Sequence, residues 1–379
     1  MEGIVMKKKF FGILLSLLAI GILMGCEKES ADPMTELLKD PYGDYKEKGG
    51  EIAFVLNGRI EDGSYNEAIY EGLQMYALAA GASFSYYKTA DDSDESHSDA
   101  IKSAAENQAQ IIICAGYDFQ EAVEALQDTY PEISFLLIDG STAGAGEAPI
   151  EIGDNVHCIS FREEESGYLA GYVAVLDGYR KLGFIGGKKE APAVIRYGYG
   201  YLQGINEAAK ELDLEDDVSV NYWYSGSFLP NQEIKSVAAK WYRGGTEIIF
   251  ACGGGLYEAV LEAADEADGL LIGVDVDQSP LSERFVSSAI KDIANGVIIS
   301  LDDYFASGRK WSDAFAGQEV RYGAKDRCTG LPTSNEAWRF KNVSVDEFNE
   351  IYKRIRQGEL YISDEIKRKP EVDIVVNYL

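Results

Sequence analysis

The segment "QIIICAGYDFQEAVEAL" (Gln110–Leu126) is matched later in the chain by "EIIFACGGGLYEAVLEA" (Glu247–Ala263). Each copy runs from an apolar stretch through a cysteine and a glycine-bearing loop into Glu-Ala-Val. A continuous apolar run bounded by glycine reads as a strand buried on both faces, and the spacing that follows is helical. The flanks correspond as well. "EIAFVLNG" (Glu51–Gly58) pairs with "KLGFIGG" (Lys181–Gly187), and "SFLLIDG" (Ser134–Gly140) with "GLLIGVDVD" (Gly269–Asp277). Strand, helix, strand, helix, strand thus occurs once in residues 50–160 and again in residues 180–290.

The intervening segments carry amphipathic helical spacing, as in "NEAIYEGLQMYALAAG", "SDAIKSAAENQAQ" and "QEIKSVAAKWYRGG". The first of these ends on Gly81, a natural left-handed stop. The expectation is an α/β chain of two doubly wound parallel-sheet lobes joined by a hinge. In such sheets ligands collect beyond the carboxyl ends of the strands, so facing lobes share one cleft. Residues 51–160 are assigned to the first lobe and 161–300 to the second. Residues 301–379 are read as crossover segments and a C-terminal extension returning to the lobes.

The N-terminus is an address. Lys7–Lys9 precede the apolar run "FFGILLSLLAIGILMG" and then Cys26. A basic patch, a short apolar segment and small residues before a cut site describe a secretory signal, residues 1–25. The run is shorter than the roughly 20 residues of a spanning helix. "LMGC" (Leu23–Cys26) resembles the lipobox of bacterial lipoproteins, with Met24 an unusual occupant, so Cys26 is the expected lipidation site. The polar, acidic residues 26–50 cannot bury enough apolar surface to fold and read as a flexible tether.

The 379-residue chain carries a net charge of −29, which argues against nucleic acid as a partner. Cys114, Cys158, Cys252 and Cys328 show no C-x-x-C spacing and read as small buried hydrophobes, with a disulfide left open in an exported protein. His97 and His157 stand outside any ligand-spaced cluster, so neither metal nor cofactor is expected. "CGGG" (Cys252–Gly255) lacks the G-K-[ST] ending of a phosphate loop. It marks instead a strand-to-helix turn at which Gly254 can bring its backbone amide to a ligand.

The ordered motifs "EDGSYNEAIYEGL", "FREEESGYLAGYVAVL" (Phe161–Leu176), "KLGFIGG", "YWYSGSF" (Tyr222–Phe228), "IGVDVDQ" (Ile272–Gln278) and "SSAIKD" (Ser287–Asp292) resemble the basic membrane protein family. These are lipoprotein substrate-binding proteins of ABC transporters on the type I periplasmic-binding fold, and several bind purine nucleosides. The similarity covers about residues 51–330. The resemblance implies a nucleoside or related solute as ligand, an ABC permease and ATPase as partners, and a lipid-anchored position outside the cytoplasm. A riboflavin binder and a transcriptional regulator belong to the same group.

Site residues follow. The family tends to have an early Asp and then D-x-S-F-N; here stand Asn57 and "DGSYN", with Tyr65 in the aromatic place and Asn66 retained. Tyr65 can stack on a base and the Asn66 amide can meet its edge. The competing reading is that both merely pack and cap the following helix. Asp139 and Asp275 end equivalent strands of the two lobes and suit sugar hydroxyls as charge-assisted acceptors. A plain turn role for Asp139 stays open. Lys291 lies where the family has a lysine reaching the pocket, although a lone lysine on a helix is usually a solvated face. For the second aromatic wall Tyr224 is the first choice and Tyr197 the rival, with Trp223 pointing the other way if the segment is a strand.

No G-x-S-x-G elbow is present and histidine is scarce, so a binder is expected rather than an enzyme. A nucleosidase-like use of Asp139 and Asp275 is the enzymatic alternative. A surface sensor using the same cleft is the other. The acid-rich "DDSDESHSD" (Asp91–Asp99) reads as a solvated loop and helix cap.

Overall fold

The computed structural model describes residues 51–140 and 151–379. The expectations for the signal segment, the tether and Cys26 lie outside the described residues. In the first lobe, β1 (Ile52–Leu56), α1 (Tyr65–Ala80), β2 (Phe84–Lys88), α2 (Asp94–Glu106), β3 (Ile111–Ala115), α3 (Gln120–Leu126), β4 (Ser134–Ile138) and β5 (Val156–Phe161) alternate as the repeat requires. The chain then crosses into the second lobe. There α4 (Glu163–Asp177), β6 (Lys181–Gly186), α5 (Pro192–Glu211), β7 (Ser219–Tyr224), α6 (Gln232–Arg243), β8 (Ile248–Cys252), α7 (Tyr257–Ala267), β9 (Leu270–Asp275) and β10 (Phe285–Lys291) follow.

After β10 the chain returns. Helix α8 (Ile293–Ala306) packs on α1, and β11 (Gln318–Tyr322) joins β5 in parallel. A last crossing leads to β12 (Thr329–Gly330), α9 (Val345–Arg356) and β13 (Val375–Tyr378) on the second lobe. The first sheet has six strands in the order β11-β5-β4-β3-β1-β2 and the second seven, β12-β10-β9-β8-β6-β7-β13. Every pairing is parallel except β10 with β12. The return to the first lobe comes at Asp292, so the expected lobe boundary at residue 300 falls inside α8 and moves back accordingly.

Strands β1, β3, β4 and β8 are buried at every position, which is why their sequences are unbroken apolar runs rather than alternating ones. Helix α1 stops where Gly81 takes φ 66°. The four cysteines among the described residues are free and buried. Among the described residues no helix is long and apolar enough to cross a membrane.

One packing feature positions the site. In α4 and α5, "GYLAG" and "GYLQG" put glycines four apart on facing sides. A Cβ on Gly167 would lie 2.1 Å from the Tyr197 carbonyl oxygen, and one on Gly204 2.0 Å from that of Tyr168. The two helices therefore pack backbone on backbone. Their N-terminal ends, carrying Glu163 and Arg196, are locked together beside the cleft.

Candidate functional site

A cavity of about 370 Å³ lies between the lobes, at the carboxyl ends of both sets of strands. Its first wall is the turn "EDGSYN". Asp62 is buried and acts as the anchor of α1. One oxygen accepts from the Ser64 and Glu67 amides at 2.9 and 3.2 Å, the other from the Asn66 amide at 3.0 Å. Burial pushes the Asp62 carboxyl up to about 7, against the pull of those amides. Because Asp62 takes the helix's first N–H groups, the Ser64 hydroxyl is released from capping and reaches across the cleft to Asp275 at 2.7 Å.

Tyr65 opens α1 and lines the cavity. Its hydroxyl donates to the Ile138 carbonyl at 3.3 Å, while Lys291 Nζ lies 4.9 Å from its ring centroid. Asn66 also reaches the lining, but its amide N–H groups are committed to the carbonyls of Asn57 and Arg59 at 3.0 and 2.9 Å. It staples the loop that carries Asn57, and only its carbonyl oxygen is left for a guest. Asn57 donates to Asp92 at 2.5 Å and accepts from Thr89 at 3.0 Å.

The strand ends supply charge. Asp139 follows β4 with φ 59°, and Asp275 closes β9 with φ 66°. Both adopt the left-handed conformation that aspartate tolerates better than most residues, which turns the carboxylates into the cleft. Lys291 is the last residue of β10 rather than part of a helix, and is 2 % exposed. Its ammonium lies 2.6 Å from Asp139 Oδ2, 3.5 Å from Glu163 Oε1 and 3.9 Å from Asp275 Oδ1. Burial alone would lower the Lys291 pKa, but these three carboxylates outweigh it and hold the amine protonated. Burial raises Asp139 and Asp275, opposed chiefly by Lys291. The other Asp139 oxygen, Oδ1, is buried with no hydrogen-bond partner among the described residues. A buried acceptor left open beside a cavity is what a ligand hydroxyl would fill.

The second aromatic wall is corrected. Tyr224 does not line the cavity. Its hydroxyl meets that of Tyr222 at 2.7 Å, and its ring sits edge-on to Phe184 and Tyr222. Residues 222 and 224 share one face of β7, and that face belongs to the core of the second lobe. Trp223 points the other way, against the α6–α7 layer. The aromatics of the second lobe that do line the cavity are Tyr197, the rival candidate, and Phe228, in the loop beyond β7. Glycines bed its ring: a Cβ on Gly187 would lie 2.4 Å and one on Gly253 2.8 Å from Phe228 Cδ1. Gly254, at φ 48°, lines the cavity beside it. Tyr197 also lines the cavity, with its hydroxyl 3.2 Å from Asp275 Oδ1 and 3.3 Å from the Ala289 carbonyl.

Further contacts span the cleft. Arg59 pairs with Glu258, and Lys188 pairs with Asp92 and lies 3.6 Å from Asp118. The Gln278 amide donates to the Gly63 carbonyl at 2.8 Å. The hinge is tied by the three consecutive glutamates of "FREEE". Glu163 pairs with Arg196 at 2.5 Å and reaches Lys291. Burial would raise Glu163, yet Arg196 and Lys291 outweigh it and hold the carboxyl below its ordinary value. Glu164 pairs with Arg321 of β11 at 2.6 Å, while burial pushes its carboxyl up to about 7. Glu165 accepts from the Ala324 amide and the Thr329 hydroxyl, both at 2.6 Å. One turn of helix thus fastens all three interlobe crossings. Sequence reasoning missed these roles although the acidic triplet was visible.

Two wound lobes crossed three times by the chain, with a cavity between them lined by aromatics from both lobes and by buried charge, define a solute-binding protein of the periplasmic type. The chain belongs to the family of PnrA-like ABC transporter substrate-binding proteins, whose model matches residues 50–369. It is 28 % identical to basic membrane protein B of Borreliella burgdorferi, over 80 % of this chain and 86 % of that protein. It is also 28 % identical to the ABC transporter nucleoside-binding protein BmpA of Lactococcus lactis, over 78 % and 81 %. Among solved structures, an ABC transporter solute-binding protein of Aeropyrum pernix superposes with a TM-score of 0.66 at 22 % identity, covering 83 % of this chain and 87 % of that one. A transcriptional activator of the comK gene from Bacillus halodurans superposes at 0.61 and 18 % identity, covering 84 % and 99 %, and shares the fold.

Proposed function

We propose that this protein binds a purine nucleoside in the interlobe cleft and presents it to an ABC permease and its ATPase. The observation that carries the reading is the presence, in one cavity, of aromatic side chains from both lobes together with an open buried acceptor. Tyr65 and Phe228 come from different lobes, and Asp139 Oδ1 lacks a partner among the described residues. A flat base stacks on the rings at about 1–3 kcal/mol per base, and sugar hydroxyls donate to Asp139 and Asp275. The nucleoside-binding relative from Lactococcus lactis supports the ligand class.

Contacts to both lobes favour the closed form, so ligand binding and closure are one equilibrium. The solute is bound and released unchanged, as befits a transporter's binding component. Export with lipidation of Cys26 would hold the protein at the outer membrane face on its tether, and intact mass of the mature protein tests this. For the ligand, a thermal-shift panel of purine and pyrimidine nucleosides, free bases, ribose and riboflavin is the test. Purine nucleosides are expected to raise Tm and to be recovered intact by chromatography. A shift with riboflavin or ribose alone would overturn the ligand class, and released base would overturn the binder reading.

A further inference from the structure

We propose that the turn Asp62–Ser64 of the first lobe and a socket on the second, made by Tyr257, Asp275 and Gln278, form the catch that keeps the lobes together over a bound solute. Gln278 is its positioning residue and sets how long the solute stays. The inference adds a determinant of residence time to the proposed function and rests on the nucleoside reading for its probe.

Three contacts seat the turn. The Gly63 carbonyl accepts from Gln278 Nε2 at 2.8 Å, the Ser64 hydroxyl donates to Asp275 Oδ2 at 2.7 Å, and Gly63 lies against Tyr257, the first residue of α7. A Cβ on Gly63 would fall 2.4 Å from the Tyr257 hydroxyl oxygen and 3.1 Å from its Cζ, and Gly63 has φ 64°, so the seat takes glycine on both counts. Gln278 is fully buried. Its Oε1 accepts from the Val274 amide at 3.1 Å, and its own backbone N–H donates to Ser288 Oγ at 3.0 Å. The Val274 N–H needs an acceptor and the Gly63 carbonyl needs a donor, which fixes the orientation of the side-chain amide between them. One residue thus holds the strand end at Asp275 in its own lobe and reaches across to the turn that carries Tyr65. Asp62, Tyr65 and Asp275 line the cavity, whereas Gly63, Ser64, Tyr257 and Gln278 are not among its lining residues. The catch therefore acts on the solute through Tyr65 and Asp275 rather than by touching it. Parting the lobes breaks these bonds, so their loss is felt in dissociation more than in association.

The test is stopped-flow binding of inosine to the purified wild type, to Gln278→Met and to Gly63→Ala, which break the catch from either lobe. Association and dissociation rate constants are read separately. Both variants are expected to release inosine about tenfold faster or more, while associating within about threefold of the wild type. Protein lost to unfolding lowers only the amplitude and moves neither rate constant, and if one variant fails to fold the other decides. Gln278→Glu is expected to restore slow release at about pH 5.5, relative to the wild type at the same pH, because a buried protonated carboxyl donates to Gly63 as the amide does. Unchanged release in Gln278→Met and Gly63→Ala, or association slowed as much as release is speeded, would overturn the catch and leave the nucleoside reading standing. No binding of inosine to the wild type would instead overturn that reading. The catch is then judged by X-ray scattering of the ligand-free proteins: a larger radius of gyration in both variants than in the wild type supports it, and equal radii overturn it.

Discussion

Lys291 and Asp139 belong to different lobes, yet their charged groups lie 2.6 Å apart at the hinge end of the cleft, both buried. The pair is bracketed by Glu163 and Asp275, so the ammonium compensates three carboxylates at once. Among the described residues Asp139 Oδ1 has no hydrogen-bond partner, which leaves it for whatever the cleft encloses.

Replacing Lys291 by Met is expected to cost both stability and binding. Removal of one partner from a buried pair typically costs about 3–5 kcal/mol, because the remaining charges lose compensation. Urea denaturation checks the stability loss, and titration with a nucleoside checks the binding, which is expected to fall by more than about 100-fold. The double variant Lys291→Met/Asp139→Leu is expected to recover only part of the stability, because Glu163 and Asp275 still lose the ammonium, and none of the affinity.

The reassigned aromatic wall separates two neighbouring side chains by experiment. Phe228→Ala removes a stacking face and is expected to weaken nucleoside binding by about 1–3 kcal/mol. Tyr224→Phe loses only the hydroxyl contact with Tyr222, worth about 1 kcal/mol of stability, and leaves Kd within about twofold. Equal effects of both on Kd would return Tyr224 to the site.

The rim pairs make affinity for an uncharged ligand depend on salt. Arg59–Glu258 and Lys188–Asp92 join the lobes and are partly solvated, with side-chain exposures of 40 and 36 % for the first pair and 22 and 46 % for the second. Such pairs contribute about 0–1 kcal/mol each and are screened at high ionic strength. Raising salt from about 0.05 M to about 0.5 M is expected to weaken nucleoside binding by about two- to fivefold, and Lys188→Ala to flatten that dependence.

Asp62 gives a pH dependence of known sign. Its carboxyl rises from an ordinary 3.8 to about 7 on folding, so the folded state binds the proton more tightly. The stability this confers is full below about pH 4 and is lost as pH rises through about 7. Stability of the wild type relative to Asp62→Asn is therefore expected to fall across that interval. Paired denaturant titrations at several pH values measure it, and a difference that is flat or rises with pH would refute the assignment.

What was legible in the sequence is what a local pattern encodes. The repeat announced both lobes because parallel strands covered on two faces must be continuously apolar. The same repeat placed Asp139 and Asp275 in equivalent positions at strand ends. Phe228 was not legible, since its place depends on glycines from two other loops, Gly187 and Gly253, that make room for its ring. Tyr224 was misplaced because strand alternation gives two faces without saying which one meets the cleft. The lobe boundary near residue 300 was late because α8 has the same apolar stripe whichever sheet it covers. Lys188 and Asp92 are 96 residues apart, and an acidic run looks solvated until its partner is known.

The central claim is that a nucleoside is enclosed between Tyr65 of one lobe and Phe228 of the other. Calorimetric titration of the purified wild-type protein with guanosine, inosine and adenosine tests it most directly. The account predicts saturable binding of at least one of them at one site per chain, with a Kd of about 1 μM or tighter, or about −8 kcal/mol. No heat and no saturation with any of the three would contradict it.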